Sequence, residues 1–220
     1  VIRVAVFDFD GTLVDSNAIK RRCLDEVVAD LPGGADALAI ARRAGGDRYA
    51  MFAAVARRLR PDADASDTAT FGRTLADDYT RRCFTAIAAA PERRGAGAAL
   101  DALARRGVRL WVASATPERD LAPLLRARGI DALFEGALGS PRTKLQSLRT
   151  VLEAEGVSPR QTVMVGDGDD DAAAAARAGT WYVAVTAERP APRYTPFAMP
   201  DLERLPATIG RLGAGEARSP

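Results

Sequence analysis

The feature that most limits the fold is a rhythm of short apolar runs and helical stretches. Val4 to Phe9, Arg109 to Ala113, Thr162 to Val165 and Trp181 to Val185 are nearly continuous apolar segments of strand length, with a weaker one at Leu133 to Leu138. Runs of this kind suit strands buried on both faces of a parallel sheet. Helical patterns lie between them, at Ala96 to Arg106, Glu118 to Arg128, Lys144 to Glu155 and Ala172 to Ala178. Gly107, Gly129, Gly156 and Gly179 each close one of these helices, where a left-handed residue is cheapest as glycine, and Pro117 suits a first helical turn. Such alternation predicts an α/β fold with a doubly wound, Rossmann-like parallel sheet and right-handed crossovers.

Residues 16–90 break the rhythm. They hold helical stretches at Ala18 to Asp30, Ala35 to Arg43, Arg48 to Arg60 and Thr68 to Ala88, and no convincing strand. The expected organisation is an α/β core of residues 1–15 and 91–220, with an inserted helical domain at 16–90. The proline-bearing tail from Glu188 reads as irregular chain wrapping the surface, with one short helix near Pro206 to Leu212.

Composition removes several classes of function. The 31 basic and 29 acidic residues are spread along the chain for a net charge of +2, which argues against nucleic acid or an anionic membrane as partner. Histidine is absent, so histidine bases, triads and most zinc sites are excluded, and acid-base chemistry falls to carboxylates or lysine. Cys23 and Cys83 form neither a disulfide framework nor a metal motif and read as semi-buried thiols. No segment resembles a secretion signal or a membrane span, so a cytoplasmic location is expected, although the chain does not begin with Met and a removed leader stays open.

Chemistry-bearing residues gather at the ends of the predicted strands, the edge where open parallel sheets bind ligands. The first strand runs into Asp8-Phe9-Asp10-Gly11-Thr12, the second into Ser114-Ala115-Thr116, and Thr162 to Val165 into Gly166-Asp167-Gly168-Asp169-Asp170-Asp171, while Lys144 opens the helix before the last of these. Taken singly, Asp-Gly-Thr could be a turn with a helix cap, and Ser114 could cap the helix near Pro117. Together they suit phosphoryl transfer, whose barrier falls through positioning and charge neutralisation. Asp8 and Asp167 offer hard oxygens for Mg²⁺, which would keep crowded carboxylates ionised. An ionised Asp8 can attack phosphorus, and Asp10 can protonate the leaving oxygen and later deprotonate water. Lys144 is conspicuous because the chain has 29 arginines and 2 lysines, and a compact ammonium can meet a phosphate as a point charge. The acidic loop is not an EF-hand, since Ala172 and Ala178 stand where glycine and glutamate are needed.

In this order the motifs DFDGTLVDS, VASAT, SPRTKLQSL and VGDGDDDAAAAARAG resemble those of the haloacid dehalogenase superfamily, in its phosphoglycolate-phosphatase-like branch with a helical cap inserted after the first motif. The resemblance implies a Mg²⁺-dependent phosphatase that hydrolyses a small-molecule phosphate monoester through an aspartyl phosphate. Asp8 would be nucleophile and metal ligand, Asp10 acid/base and ligand through its backbone carbonyl, and Asp167 the remaining ligand. Ser114, Ala115 and Lys144 would hold the phosphate. Asp171 and Thr12 would support them from behind, with Asp169 and Asp170 as solvated loop charges. The retained Asp10 points to phosphate esters rather than haloacids, and Lys20 is poorly placed for a Schiff-base phosphonatase. A sugar phosphomutase of similar build, or a non-catalytic binding module, are the alternatives. Arg48, beside Gly45-Gly46-Asp47, either reads a substrate carboxylate or second phosphate, or is an exposed helix-start arginine. Phosphoglycolate, a sugar phosphate and a biosynthetic intermediate all remain compatible, as do monomer and homodimer.

Overall fold

A computed structural model describes residues 1–29, 31–44, 48–187 and 197–213. The chain divides into two compact units, Val1–Asp15 with Ala90–Pro220, and Ser16–Ala89.

In the first unit the apolar runs become strands β1 (Val4–Phe7), β2 (Arg109–Pro117), β3 (Gly136–Ser140), β4 (Thr162–Gly166), β5 (Trp181–Val185) and β6 (Ala198–Met199). They form one parallel sheet in the order β3-β2-β1-β4-β5-β6. This is the expected doubly wound architecture, and the order reverses direction between β1 and β4, opening a crevice at the carboxyl edge there. Every residue of β1 is fully buried, as a central strand covered on both faces requires. Val4 and Val6 pack with Ala113, Leu148, Val151, Met164, Ala174 and Ala175. Ala5 and Phe7 face the opposite side, where Phe7 meets Phe134 edge-on at 6.5 Å.

Some local expectations shift. The weak run at Leu133 to Leu138 starts its strand only at Gly136, because Asp131–Leu133 closes a 3-10 turn first. Pro117 ends β2 and serves as the N-cap of the next helix rather than sitting in its first turn. The tail is also more than surface wrapping among its described residues. It adds β6, the helix expected near Pro206 to Leu212 runs over Leu205–Gly213, and Leu202, Leu205, Ile209 and Leu212 are buried. Pro190, Pro192 and Pro196 lie outside the described residues, as does the joint Gly45-Gly46-Asp47.

The second unit is helical: α1 (Asn17–Val28), α2 (Gly34–Arg43), α3 (Arg48–Leu59) and α4 (Ala65–Ala88). Leu24, Val27, Val28, Ala37, Ala41, Phe52, Val55, Leu75 and Ala76 form its core. Both cysteines are buried there rather than semi-buried, Cys23 on α1 and Cys83 on α4. No helix among the described residues is long and apolar enough to cross a membrane. The first unit continues with α5 (Ala96–Arg105), α6 (Glu118–Ala127), α7 (Lys144–Glu155), α8 (Asp169–Ala178) and α9, the Leu205–Gly213 helix.

Candidate functional site

β1 and β4 lie side by side, and the chain immediately after each carries an aspartate. Asp8 continues the ladder through its backbone N–H to Val165 O at 2.8 Å, and its Oδ1 accepts from Phe9 N at 2.8 Å. The chain then folds back tightly, with Gly11 at φ +79° and Gly11 N donating to Val14 O at 2.8 Å. A residue with a Cβ would strain this left-handed turn. Arg93, buried, grips the turn by donating to Gly11 O at 3.0 Å and to Asp15 at 3.3 Å.

β2 delivers the hydroxyls. Thr116 Oγ1 donates to Asp10 Oδ2 at 2.8 Å, so Asp10 is oriented by a residue that no sequence argument had singled out. Ser114 Oγ accepts from Thr116 N at 3.1 Å, an interaction inside the strand end and not a cap for α6. Ser114 is buried beside exposed Ala115. Thr12 is fully buried, and its Oγ1 has no hydrogen-bond partner among the described residues.

Lys144 is the first residue of α7, whose start is fixed by Thr143 and Gln146 in a reciprocal capping box. Its Nζ lies 2.7 Å from Asp8 Oδ1 and 2.6 Å from Asp171 Oδ1. α8 begins three residues before the expected Ala172, because Asp169, Asp170 and Asp171 form its first turn, where carboxylates suit the positive end of the helix dipole. Asp169 and Asp170 are exposed, on the helix rather than in a loop. Asp171 is fully buried, and its Oδ2 accepts from Gly168 N at 3.1 Å.

Asp8, Asp167 and Asp171 each place a carboxylate oxygen within 4.8 Å of the others. Burial, opposed by Lys144 and reinforced by Asp10 and Asp167, pushes the Asp8 carboxyl up to about 6. Burial and the charge of Asp8 hold Asp171 well above the ordinary range against the pull of Lys144. Burial works against the Lys144 ammonium, yet Asp8, Asp171 and Asp170 outweigh it and keep it charged. The cluster therefore holds more carboxylate than one ammonium can neutralise. Crowded hard oxygens with surplus negative charge are the donor set of a divalent cation, so the residues fit such an ion.

Tyr182 on β5 is a further addition. Its hydroxyl lies 3.0 Å from Gly166 O and 3.3 Å from Gly168 O, the carbonyls on either side of Asp167. Burial and the charges of Asp171, Asp167 and Asp170 keep its phenol protonated. Neither Tyr182 nor Arg93 belongs to a recognisable motif; Thr116 carried a faint signal, a second hydroxyl two residues beyond Ser114. In the helical unit, Arg48 opens α3, donates to Thr80 Oγ1 at 2.5 Å and lies over the Tyr79 ring at 5.9 Å, so it is half-buried rather than a freely exposed arginine.

Residues 2–179 match the family described as haloacid dehalogenase-like hydrolase. A phosphoglycolate phosphatase of Rhodospirillum rubrum is 34% identical over 187 residues, covering 80% of this chain and 76% of that one. Among solved structures, a Haemophilus somnus protein described as a predicted phosphoglycolate phosphatase superposes with a TM-score of 0.77 at 22% identity, covering 94% of this chain and 97% of the other. CbbY from Rhodobacter sphaeroides in complex with phosphate gives 0.72 at 19% identity, covering 93% and 96%. At these identities the structural likeness speaks for the fold alone.

Proposed function

The chain belongs to the haloacid dehalogenase-like hydrolase family, and we propose that within it this protein hydrolyses a small phosphate monoester, with phosphoglycolate the first substrate to test. The observation that carries the reading is Lys144 seated between Asp8 and Asp171, beside an Asp10 held by Thr116. The choice of phosphoglycolate is supported by the relatives' names.

In the proposed reaction Asp8 attacks phosphorus and the bond from phosphorus to the ester oxygen breaks, while Asp10 gives its proton to the departing alkoxide. The phosphoryl group is then an acyl phosphate on Asp8. Asp10, now ionised, takes a proton from a water that attacks phosphorus, the bond from phosphorus to Asp8 breaks, and inorganic phosphate leaves with Asp8 again a carboxylate and Asp10 again protonated. Lys144 offsets the negative charge of Asp8 and the incoming phosphate, and Ser114 Oγ with the backbone of Ala115 is assigned to the phosphate oxygens. Asp8, Asp167 and the Asp10 carbonyl would hold Mg²⁺, with Asp171 and Thr12 behind them; when bound, the ion neutralises charge on the carboxylates and the phosphoryl oxygens. We assign substrate selection to the helical unit, with Arg48 as the residue to test.

The experiment is phosphate release from phosphoglycolate, hexose phosphates, amino-sugar phosphates and nucleotides, in Mg²⁺ and in EDTA, with Asp8→Asn as control. Mg²⁺-dependent release that the variant loses supports the reading. Isomerisation of a sugar phosphate without phosphate release would replace it with a mutase, and release undiminished in Asp8→Asn would remove the nucleophile assignment.

A further inference from the structure

We propose that Tyr182, which lies outside every motif, is a positioning residue that anchors the loop 166–168 and so holds the Asp167 carboxylate beside those of Asp8 and Asp171; this rests on the metal-dependent reading above.

Asp167 stands between two glycines, the first of them imposed by a buried carboxylate. A Cβ on Gly166 would lie 2.3 Å from Asp171 Oδ2, and one on Gly168 would lie 2.4 Å from Asp170 Oδ1. Glycine is therefore needed at 166, where the buried Asp171 cannot yield, whereas the exposed Asp170 carboxylate can swing clear of residue 168; two glycines nonetheless bring conformational freedom to the segment whose carboxylate must stay still. The strand ladder gives limited help. Pairing of β4 with β5 runs from Val163↔Trp181 to Gly166↔Ala184 and ends where the loop begins.

Tyr182 adds a restraint from the neighbouring strand. Its position on β5 is in register with Met164 of β4, and its ring packs against the cluster that includes Met164, Ala174 and Ala175. From that base the hydroxyl reaches Gly166 O at 3.0 Å and Gly168 O at 3.3 Å. One proton serves two acceptors, the shorter contact being the stronger. Gly168 N is tied in turn to Asp171 Oδ2 at 3.1 Å. The three-residue loop is thus anchored at both ends by groups mounted on β5 and α8, with Asp167 between the anchors. Such outer contacts set the orientation of a ligating carboxylate, and losing one typically weakens metal binding ~10- to 100-fold.

The test is Tyr182→Phe in the full chain, which keeps the ring and removes the hydroxyl. Mn²⁺ serves as the spin-active stand-in for Mg²⁺, since both favour octahedral oxygen sites, and free Mn²⁺ is read from its EPR signal during titration of wild type, Tyr182→Phe and Asp167→Asn. The expected result is a dissociation constant raised about 10-fold by Tyr182→Phe, with the KM for the phosphate ester unchanged once metal is saturating. A change below about twofold overturns the proposal, since water would then replace the hydroxyl without loss. If Asp167→Asn loses Mn²⁺ while Tyr182→Phe matches wild type, only the positioning role falls. If wild type binds no Mn²⁺, the metal reading falls with it. Melting in EDTA supplies the structural control: a variant that loses stability there but keeps its Mn²⁺ affinity would make Tyr182 a packing residue and overturn the proposal.

Discussion

Lys144→Met is the perturbation whose consequence follows most directly from the structure. Lys144 is 8% exposed, and its ammonium contacts Asp8, also 8% exposed, and Asp171, at 0%. Methionine fills the same space without the charge, leaving two carboxylates close together in a buried site. Removing one partner of a buried ionic group costs about 3–5 kcal/mol, and the carboxylates can limit the loss by retaining a proton. In a chain of this size 1 kcal/mol moves the melting temperature by ~2–4 °C, so a fall of about 6–20 °C is expected in EDTA. Excess Mg²⁺ should narrow the gap, because a divalent cation restores positive charge beside Asp8. Turnover should nevertheless stay at least ~10²-fold below wild type, since under the proposed roles a bound cation does not replace the ammonium assigned to the phosphate. The assay is thermal unfolding by circular dichroism with EDTA and with Mg²⁺, alongside phosphate release. A variant melting within about 2 °C of wild type in EDTA would refute the argument, because the ammonium would then contribute nothing to holding the carboxylates together.

Thr116→Val removes the donor to Asp10; because a hydrogen bond to a charged group contributes ~1.5–3 kcal/mol, kcat should fall about 10- to 100-fold with KM little changed, and Thr116→Ser should restore it. Asp8 gives a pH signature in EDTA: with its carboxyl raised to about 6 from 3.8, the native state binds the extra proton, so this contribution to stability is fully present below about pH 4 and lost as pH rises through about 6. The stability of wild type minus that of Asp8→Asn, from urea titrations, should therefore decline by about 3 kcal/mol across that window, and a difference that rises would reverse the assignment. Gly166→Ala forces a Cβ against Asp171, which Lys144 and Gly168 already pin; denaturation should show a loss of about 1–3 kcal/mol. Burial pushes the Cys83 thiol up to about 12, so iodoacetamide should label it far more slowly in the native protein than in urea, as mass spectrometry would show.

Much of the architecture was legible because local chemistry records it. Lys144–Glu155 and Trp181–Val185 begin and end where apolar spacing, a capping threonine and the following residues place them. Gly107, Gly129, Gly156 and Gly179 all adopt positive φ, since left-handed backbone is written into the chain as glycine. β6 was hidden, as two residues carry no periodicity; α9 was legible, but its burial was not, because its buried face depends on what the rest of the unit brings against it.

The sequence by itself determined which groups exist for chemistry: four aspartates and one rare lysine at strand ends or a helix start, in a chain without histidine. Their convergence followed from strand direction, since every parallel strand delivers its last residues to the same edge. Only the tertiary structure decided which neighbours hold them. The strand order sets β4 beside β1 and β5 beside β4, and so brings Tyr182 to the carbonyls around Asp167. The length of β2 carries Thr116 to Asp10, and the return of the chain at Ala90 carries Arg93 to Gly11. A hydroxyl or guanidinium looks the same in sequence whether it meets water or a buried acceptor; its partner is chosen by elements distant along the chain, and that choice exists only once the sheet has formed.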